Sequence, residues 1–397
     1  MSHPQAARWL DDTNDITQTF LSAGLKPDLI NLGGGLPEPA TWPVDALADI
    51  AAEVIRTDTL EALGYTPIEG LPALRDAIAA RFSTPSLQLT RRHVLITTGG
   101  LQAIEIIGKA LLDEGQCIAT QTPVFLGALD AWKPRRPQYR QMHLGSPGFD
   151  PHAAMAGAQF GYVVPNFSNP SGRLVPVSER QHLLDAARAT GTWLIEDDPY
   201  GALYFDGPAL PSILTLDGER NPGPYAGPVI YLGTVSKELA PGLRVGWIIA
   251  APELIDILIT VKQGSDLCTS GLCQMIALRA YERGVVERAM PGILSTYRER
   301  RDACCAALTR HLADELDWEV PVGGMFVWAT VKDPAIDTAR LLSFALDHGV
   351  CTAPGGVFDP TGADRRSMRI SFTRNPPARL DEGLRRLRLA IAAMRAS

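Results

Sequence analysis

The most informative part of the sequence is VIYLGTVSKELAPGLRVG, residues 229–246. An apolar, strand-like run ends in small hydroxyl residues, which are followed by one lysine, Lys237, and seven positions later by Arg244. An amine at a strand end can condense with an aldehyde, and Thr234, Ser236 and Arg244 supply donors suited to phosphate oxygens. The pattern predicts pyridoxal phosphate held by Lys237, although a lysine taken alone is usually a solvated surface charge.

A second strand-like run, TWLIEDDPYGALYF at 192–205, reaches three consecutive carboxylates. Strand alternation puts Asp197 on one face and Glu196 with Asp198 on the other. Adjacent like charges at the mouth of a buried strand need a cation, and a protonated pyridine nitrogen would serve. We therefore expect Asp197 to face the ring nitrogen of the cofactor. A solvated acidic turn before Pro199 is the alternative.

Two more strand-like runs are followed by loops with polar or glycine residues. In GYVVPNFSNPSGRLVP, at 161–176, Asn169 could hydrogen-bond the phenolic oxygen of the cofactor, although NPSG is also an ordinary turn sequence. The run HVLITTGGLQAIEIIGKALL, at 93–112, reads as a strand, a double glycine and an amphipathic helix. Backbone N–H groups at such a helix start bind anions, and Gly99 and Gly100 allow close approach. The same arrangement is also a common structural connection.

The motifs NPSG, DDPY and SKELAPGLRVGW, in this order and spacing, resemble those of the class I and II aminotransferases. These are fold-type I pyridoxal-phosphate enzymes, and the resemblance is closest to the 2-aminoadipate and aromatic aminotransferase branch, which also contains transcription regulators with an aminotransferase-like domain. It extends from INLGGGLPEP at 30–39 to MRISF at 368–372. The implied fold class is α/β, with a mainly parallel central sheet in a large domain and a smaller α+β domain.

The resemblance also implies roles for individual residues. Lys237 would be the Schiff-base lysine and would act in catalysis with Asp197 and Tyr200, while Asn169 and Tyr200 would reach the phenolic oxygen. Phe125 would stack on the ring, although it could be an ordinary core aromatic. The implied cofactor-binding residues are Tyr65 (across a dimer interface), Gly100, Leu101, Gln102, Phe125, Asn169, Asp197, Tyr200, Thr234, Ser236, Lys237 and Arg244.

Substrate recognition is expected on a second strand. Met368, Ile370 and Phe372 alternate as an apolar face, and Arg369 falls on the other face. The planar guanidinium of Arg369 suits bidentate pairing with the α-carboxylate of the substrate, and the family places its carboxylate-binding arginine in the same context. An interdomain salt bridge is the alternative. The resemblance adds Asn169 and Gly35 to the substrate-binding set.

The alternation of strand and helix patterns predicts the organisation of the chain. Strands are predicted at 93–97, 117–121, 161–165, 192–197, 229–234 and 245–250, and a long helix from Val285 to Leu312 leads into a second lobe. We expect an N-terminal arm and substrate-covering segment at 1–48, belonging to the small domain. A large cofactor-binding domain at 49–288 and a C-terminal small domain at 289–397 follow.

Composition narrows the classes of function. A 397-residue chain with 46% hydrophobic residues can build a large core, and a net charge of −7 argues against nucleic acid as an electrostatic partner. No export signal or membrane span is recognisable, so a cytoplasmic location is expected. The six cysteines and seven histidines show no metal-ligand spacing, so no metal is expected and free thiols are predicted.

The predicted activity is transfer of an amino group from an L-α-amino acid to a 2-oxo acid, 2-oxoglutarate foremost, by a ping-pong mechanism in a homodimer. The N-terminal stretch from Trp9 to Gly24 resembles a substrate-covering helix but contains no Arg or Lys. Leu21, Leu25 and Leu36 would form an apolar lid, which favours uncharged donor side chains. Another pyridoxal-phosphate reaction, such as β-elimination or decarboxylation, and a cofactor-binding sensor without turnover stay open.

Overall fold

A computed structural model describes residues 6–7, 9–10 and 28–397 of the chain. Most of the predicted covering helix, including Leu21, lies outside the described residues, and so does Leu25. Trp9 and Leu36 lie within them, and both line the cavity described below.

Fifteen β-strands lie in the described part of the chain. In chain order they are β1 (Ile30–Asn31), β2 (Leu87–Gln88), β3 (Val94–Thr97), β4 (Cys117–Gln121), β5 (Gln138–Met142), β6 (Phe160–Val163), β7 (Trp193–Asp197), β8 (Gly223–Pro224), β9 (Val229–Thr234), β10 (Gly246–Ile249), β11 (Leu316–Trp318), β12 (Phe326–Val331), β13 (Val350–Cys351), β14 (Ala353–Pro354) and β15 (Ser367–Ser371).

The α-helices of the same residues alternate with these strands through most of the chain. They are α1 (Val44–Thr57), α2 (Thr59–Leu63), α3 (Pro72–Phe82), α4 (Gly100–Leu111), α5 (Leu126–Trp132), α6 (Pro151–Met155), α7 (Val177–Thr190), α8 (Ile213–Arg220), α9 (Pro252–Gln263), α10 (Gly271–Glu282), α11 (Val285–Leu312), α12 (Thr338–Asp347) and α13 (Pro377–Arg395). Within the described ranges, no helix is both long and apolar enough to cross a membrane.

The central sheet has seven strands in the order β3-β10-β9-β7-β6-β4-β5. All are parallel except β10, which runs antiparallel to β3 and to β9. The six strands predicted from the sequence are all present, within two residues of their expected ends, and the mainly parallel sheet is confirmed. Strand β5 was missed because its sequence, QYRQM, is polar and mostly half-exposed, as suits the edge of a sheet.

Side chains of the central sheet are buried on both faces. In β9, Ile230 and Leu232 belong to one hydrophobic cluster, while Val229 and Tyr231 belong to a second cluster. This division follows from the two-residue period of a strand, and it explains why the sequence of β9 is an unbroken apolar run. The residues at the strand ends are therefore attached to a sheet whose two faces are both shielded from water.

A smaller antiparallel sheet, in the order β11-β12-β15-β14, is formed entirely after the long helix α11. Helix α11 covers the predicted range Val285 to Leu312, and the predicted strand that carries Arg369 is present as β15. Strand β1 pairs in parallel with β13, so the N-terminal segment is attached to the C-terminal part of the chain. The domain boundaries at 48 and 288 stay predictions.

All six cysteines are described and none forms a disulfide; Cys304, Cys305 and Cys351 are buried and the other three are half-buried. Among the residues that the structure describes, no group of three or more His, Cys, Asp or Glu side chains is arranged to hold a metal ion.

Candidate active site

A cavity of about 700 Å³ lies at the carboxyl ends of the parallel strands. Strand β7 contributes its last residue, Asp197, and β9 its last residue, Thr234. The loops after β4 and β6 contribute Phe125 and Asn169. Open α/β sheets bind ligands at this edge because all the parallel strands end there and the loops are free to vary.

Twelve of the fourteen residues singled out in the sequence line this one cavity. They are Gly35, Gly100, Leu101, Phe125, Asn169, Asp197, Tyr200, Thr234, Ser236, Lys237, Arg244 and Arg369. The structure therefore brings together residues that are up to 334 positions apart, counted from 35 to 369. Gln102 and Tyr65 do not line the cavity, and their surroundings are described below.

Lys237 follows β9 and is partly enclosed in the cavity. Its Nζ lies 3.4 Å from the carbonyl oxygen of Gly35, and among the described residues no carboxylate forms an ion pair with it. Burial, together with the positive charges of Arg244 and Arg369, lowers the pKa of Lys237 to about 8. A lysine in this state has a substantial neutral fraction near neutral pH, which is the form that attacks an aldehyde.

Asp197 is buried, and its Oδ2 accepts a hydrogen bond of 2.6 Å from the hydroxyl of Tyr162. Burial raises the pKa of Asp197 to about 7; the Tyr162 hydrogen bond lowers it and nearby Asp198 raises it further. Because Asp197 lines the cavity and burial disfavours its charge, a cation placed next to it would be stabilised. This environment matches the role predicted for Asp197.

The two neighbouring carboxylates do not share that role. Glu196 is buried and accepts hydrogen bonds from the backbone N–H groups of Ile213 and Leu214, at 2.7 and 2.9 Å, at the start of α8. Asp198 accepts hydrogen bonds from Asn166 at 2.9 Å and from the hydroxyl of Tyr231 at 3.0 Å. The sequence argument that all three charges need one cation was therefore too broad. Two of them are satisfied by hydrogen-bond donors of the protein.

Asn169 connects the predicted cofactor side of the cavity to the predicted substrate side. Its Nδ2 donates to the hydroxyl of Tyr200 at 3.4 Å, and its Oδ1 accepts a hydrogen bond of 2.5 Å from Nη1 of Arg369. Tyr200 is buried, and this burial raises the pKa of its hydroxyl, so the group is protonated at neutral pH and able to donate a hydrogen bond.

Arg369 lies in β15 with its guanidinium between two aromatic rings. Its Cζ is 4.6 Å from the ring centre of Phe326 and 4.7 Å from that of Phe358. A second nitrogen donates to the carbonyl oxygen of Gly33. Burial lowers the pKa of Arg369 to about 10, so the group is still a cation at neutral pH. The aromatic rings and the hydrogen bonds fix the plane of the guanidinium, as recognition of a carboxylate requires.

Another group of lining residues is rich in donors for an anion. The hydroxyls of Thr234 and Ser236 lie 2.9 Å apart. Arg244 is exposed towards the cavity, and it donates to carbonyl oxygens of Pro241 at 3.2 Å and Thr98 at 3.4 Å. Helix α4 begins at Gly100, so its first backbone N–H groups have no partner within the helix. A phosphate fits this donor set.

The remaining two predicted residues have other surroundings. The Oε1 of Gln102 accepts a hydrogen bond of 2.7 Å from the backbone N–H of Thr98, so its side chain faces the loop rather than the cavity. Only its backbone N–H, in the first turn of α4, stays available for the predicted contact. Tyr65 is 90% exposed and does not line the cavity of its own chain.

Several residues of the site carry no motif and escaped the sequence analysis. Tyr162 looks like a core aromatic in the sequence, because it lies within the continuous apolar run of β6. Phe326 and Phe358 are likewise indistinguishable from ordinary buried phenylalanines. Their contacts with Asp197 and Arg369 join distant parts of the chain, so no local pattern could have shown them.

The chemistry of this cavity fits pyridoxal phosphate. A nucleophilic amine on Lys237, a buried carboxylate on Asp197 and a cluster of anion donors around Arg244 match the aldehyde, the ring nitrogen and the phosphate of that compound. The glycine Gly99 contributes to the fit, because a Cβ at this position would lie 2.3 Å from a guanidinium nitrogen of Arg244.

Comparisons with known proteins agree with this chemistry. The family described as aminotransferase class I and II matches residues 27–387. Aromatic-amino-acid aminotransferase 1 of Thermococcus litoralis is 36% identical over 374 residues, covering 91% of this chain and 87% of that protein. The 2-aminoadipate transaminase of Thermus thermophilus is 35% identical, covering 93% and 91%.

Among solved structures, an α-aminoadipate aminotransferase from Thermus thermophilus, complexed with N-(5′-phosphopyridoxyl)-L-leucine, superposes with a TM-score of 0.89 at 33% identity and covers 98% of both chains. A more distant relative, an uncharacterized HTH-type transcriptional regulator of Bacillus subtilis, is 28% identical and covers 91% of this chain and 73% of that protein.

Proposed function

This chain belongs to the class I and II aminotransferases, and we propose that it moves the amino group of an uncharged L-α-amino acid to 2-oxoglutarate in two alternating half-reactions. Membership confirms the predicted resemblance, the fold-type I α/β fold, the aminotransferase activity and pyridoxal phosphate as cofactor. The choice of substrates, the order of the half-reactions and the roles of individual residues are the proposal.

The observation that carries the proposal is the convergence of Lys237, Asp197 and Arg369 on one cavity. When bound, pyridoxal phosphate supplies an aldehyde carbon that takes up an amino group and a conjugated ring that stabilises negative charge on the α-carbon. Asp197 would face the ring nitrogen and, as a carboxylate, would pair with a protonated ring and so favour its cationic form. Arg369 orients the substrate through its α-carboxylate.

Lys237 then carries the proton that leaves the α-carbon of the donor. A base with a pKa near the working pH transfers protons efficiently in both directions, and the enclosed position of Lys237 gives it such a pKa. The same amine returns this proton later in the same half-reaction. Replacement by alanine removes both the attachment point and the proton carrier, so we expect K237A to bind pyridoxal phosphate without turnover.

The single arginine at the substrate end supports alternating half-reactions. Among the described residues that line the cavity, Arg369 is the one cation at that end, because Arg244 and Lys237 lie with the predicted phosphate and aldehyde positions. Two α-carboxylates cannot share this guanidinium in full bidentate pairing. The donor-derived oxo acid must therefore leave before the acceptor enters, which gives ping-pong kinetics.

The walls of the cavity support a donor with an apolar or aromatic side chain. Leu36, Leu101, Ile104 and Leu126 line it, and so do Trp9, Ala131, Pro134 and Phe358. Two acidic residues also line it. Glu105 forms an ion pair of 2.7 Å with Lys109 of the same helix. Asp130 forms an ion pair of 3.5 Å with Lys133, which follows its helix directly. The relative named for aromatic amino acids and the phosphopyridoxyl-leucine complex of the solved relative support the same class.

The acceptor is proposed from the relatives. One of them is named for 2-aminoadipate, a dicarboxylate one methylene longer than glutamate. We propose 2-oxoglutarate as the acceptor here. Pyruvate, which lacks the second carboxylate, is the matched comparison compound.

A homodimer is part of the proposal. Leu60, Leu63 and Tyr65 are 79%, 62% and 90% exposed, and an exposed cluster of this kind around an aromatic residue is typical of a surface that meets another protein. We propose that the surface meets a second copy and that Tyr65 reaches the phosphate of the partner's site.

The test is a spectroscopic titration of the purified holoenzyme. Aromatic, aliphatic, acidic and basic amino acids are added one at a time, and the visible band of the lysine-bound cofactor is followed. We expect the band to bleach with apolar and aromatic donors and to return with 2-oxoglutarate more readily than with pyruvate. Release of ammonia or of carbon dioxide without an acceptor would instead identify β-elimination or decarboxylation. A band that no amino acid bleaches would support a sensor and contradict the proposal.

A further inference from the structure

Lys262 is the most unusual charged residue outside the site already described. It lies in the last turn of α9 with no exposed surface, and its Nζ forms an ion pair of 2.6 Å with Oδ1 of Asp266. Burying an ammonium group is costly unless it is paired, and a paired buried charge is seldom the best way to gain stability alone. The position of this pair therefore calls for a reason beyond packing.

The pair leads directly to the loop that precedes α4. The second carboxylate oxygen of Asp266, Oδ2, accepts a hydrogen bond of 2.6 Å from the hydroxyl of Thr98, which also lies 3.1 Å from the hydroxyl of Thr269. Burial would raise the pKa of Asp266, but hydrogen bonds from Lys262, Thr98 and Gln102 hold it below its usual range. Asp266 is therefore a stable anion that receives three donors.

Thr98 in turn forms hydrogen bonds with the two groups that would flank the phosphate, namely the first turn of α4 and Arg244. Its backbone N–H donates to Oε1 of Gln102 at 2.7 Å, which ties the loop to the first turn of α4. Its carbonyl oxygen accepts the hydrogen bond from Nη2 of Arg244 at 3.4 Å. Between these contacts lies Gly99, with a φ of +83°, where an added Cβ would meet the guanidinium of Arg244.

We propose that Asp266, anchored by Lys262, is a positioning residue for the cofactor phosphate. By holding Thr98 and Gln102, it aims the free N–H groups of α4 and the guanidinium of Arg244 at one point. Neither Lys262 nor Asp266 lines the cavity, so both act through the loop and not by contact with the cofactor. The inference rests on the proposal that the phosphate lies between α4 and Arg244.

The test compares two ligands that differ only in the phosphate. Apoprotein is prepared, and the dissociation constants of pyridoxal phosphate and of pyridoxal are measured for the wild type and for D266N. We expect D266N to weaken pyridoxal phosphate about 10-fold while pyridoxal changes less than 2-fold, since only the phosphate uses the loop. An equal change for both ligands, or no change, would overturn the inference.

A second pair of variants keeps the test independent of folding defects. In K262M the Asp266 carboxylate loses its cation beside the phosphate position, so we expect a larger selective loss than in D266N. The double variant K262M/D266N removes the unpaired charge and is expected to return to the D266N level. Strictly additive losses would contradict the proposed relation between the two residues.

Asp217 provides the matched control. It is a buried aspartate that pairs with Arg188 and accepts a hydrogen bond of 3.0 Å from Tyr225, and none of these residues lines the cavity. We expect D217N to lower thermal stability without changing the ratio of the two dissociation constants. R244Q tests the premise, since an unchanged ratio there would overturn the phosphate placement itself, whereas a changed ratio in R244Q alone would overturn only the role of Asp266.

Discussion

The lowered pKa of Lys237 predicts an unusual pH dependence for the capture of pyridoxal phosphate by the apoprotein. Burial and the charges of Arg244 and Arg369 bring this pKa from 10.5 to about 8. At pH 7.5 roughly 24% of such an amine is neutral, against roughly 0.1% for an amine with an ordinary pKa near 10.5. Because only the neutral amine attacks the aldehyde, the structure predicts a reactive fraction about 200-fold above that of an ordinary lysine.

The rate of capture is measured by rapid mixing of apoprotein with pyridoxal phosphate, following the visible band between pH 6 and pH 10. Because only the neutral form of the Lys237 amine reacts, the rate of capture rises with pH below about 8 and is constant above it. A simple alkyl amine in solution, measured under the same conditions, corrects for ionisation of the aldehyde compound and should still rise above pH 9. If the protein also continues to rise above pH 9, the account of the Lys237 environment is refuted.

Two substitutions in the site have effects that the geometry sets. R369K keeps the positive charge between the aromatic rings but loses the two-pronged guanidinium, so one charge-assisted hydrogen bond worth about 1.5–3 kcal/mol disappears. We expect kcat/KM for the donor to fall roughly 10- to 150-fold. R374K, at an exposed neighbouring position, is the control, and an equal fall in both variants would contradict the role of Arg369. G99A places a methyl group 2.3 Å from Arg244 at a φ of +83°, and we expect a loss of about 1–3 kcal/mol in unfolding free energy and weaker binding of pyridoxal phosphate in a dialysis assay. G115A, at a similar φ of +79° where an added Cβ meets nothing within 4 Å, lies outside the cavity lining and should lose stability without weakening the binding of pyridoxal phosphate.

The sequence was most informative where a residue with a specific chemical role stands at the end of a predicted strand. Lys237, Asp197 and Asn169 each follow or end an apolar run, and a parallel sheet brings such ends together, so their convergence could be predicted. The order of the strands and the antiparallel direction of β10 could not be read in this way. They depend on packing between segments that are distant in the chain.

The contacts that tune these residues were beyond the reach of a local pattern. Tyr162 donates to Asp197 from another strand, and Asp266 reaches Thr98 across 168 positions. The partners of Glu196 could not be predicted for the same reason, since they are backbone groups at the start of α8. A sequence motif identifies a functional side chain, whereas its hydrogen-bond partners are decided by tertiary structure.

The parallel pairing of β1 with β13 sets an order of events during synthesis of the chain. Ile30 pairs with Val350, 320 positions later, and the adjoining Gly33 supplies the carbonyl oxygen that holds Arg369. The strands that carry the cofactor-binding residues lie between 94 and 249 and can associate earlier, because contacts between nearer segments close smaller loops. With Arg369 in its proposed role, a nascent chain can thus assemble its cofactor-binding strands before the carboxylate-binding arginine is held in place. Recognition of the α-carboxylate is then the last part of the site to form.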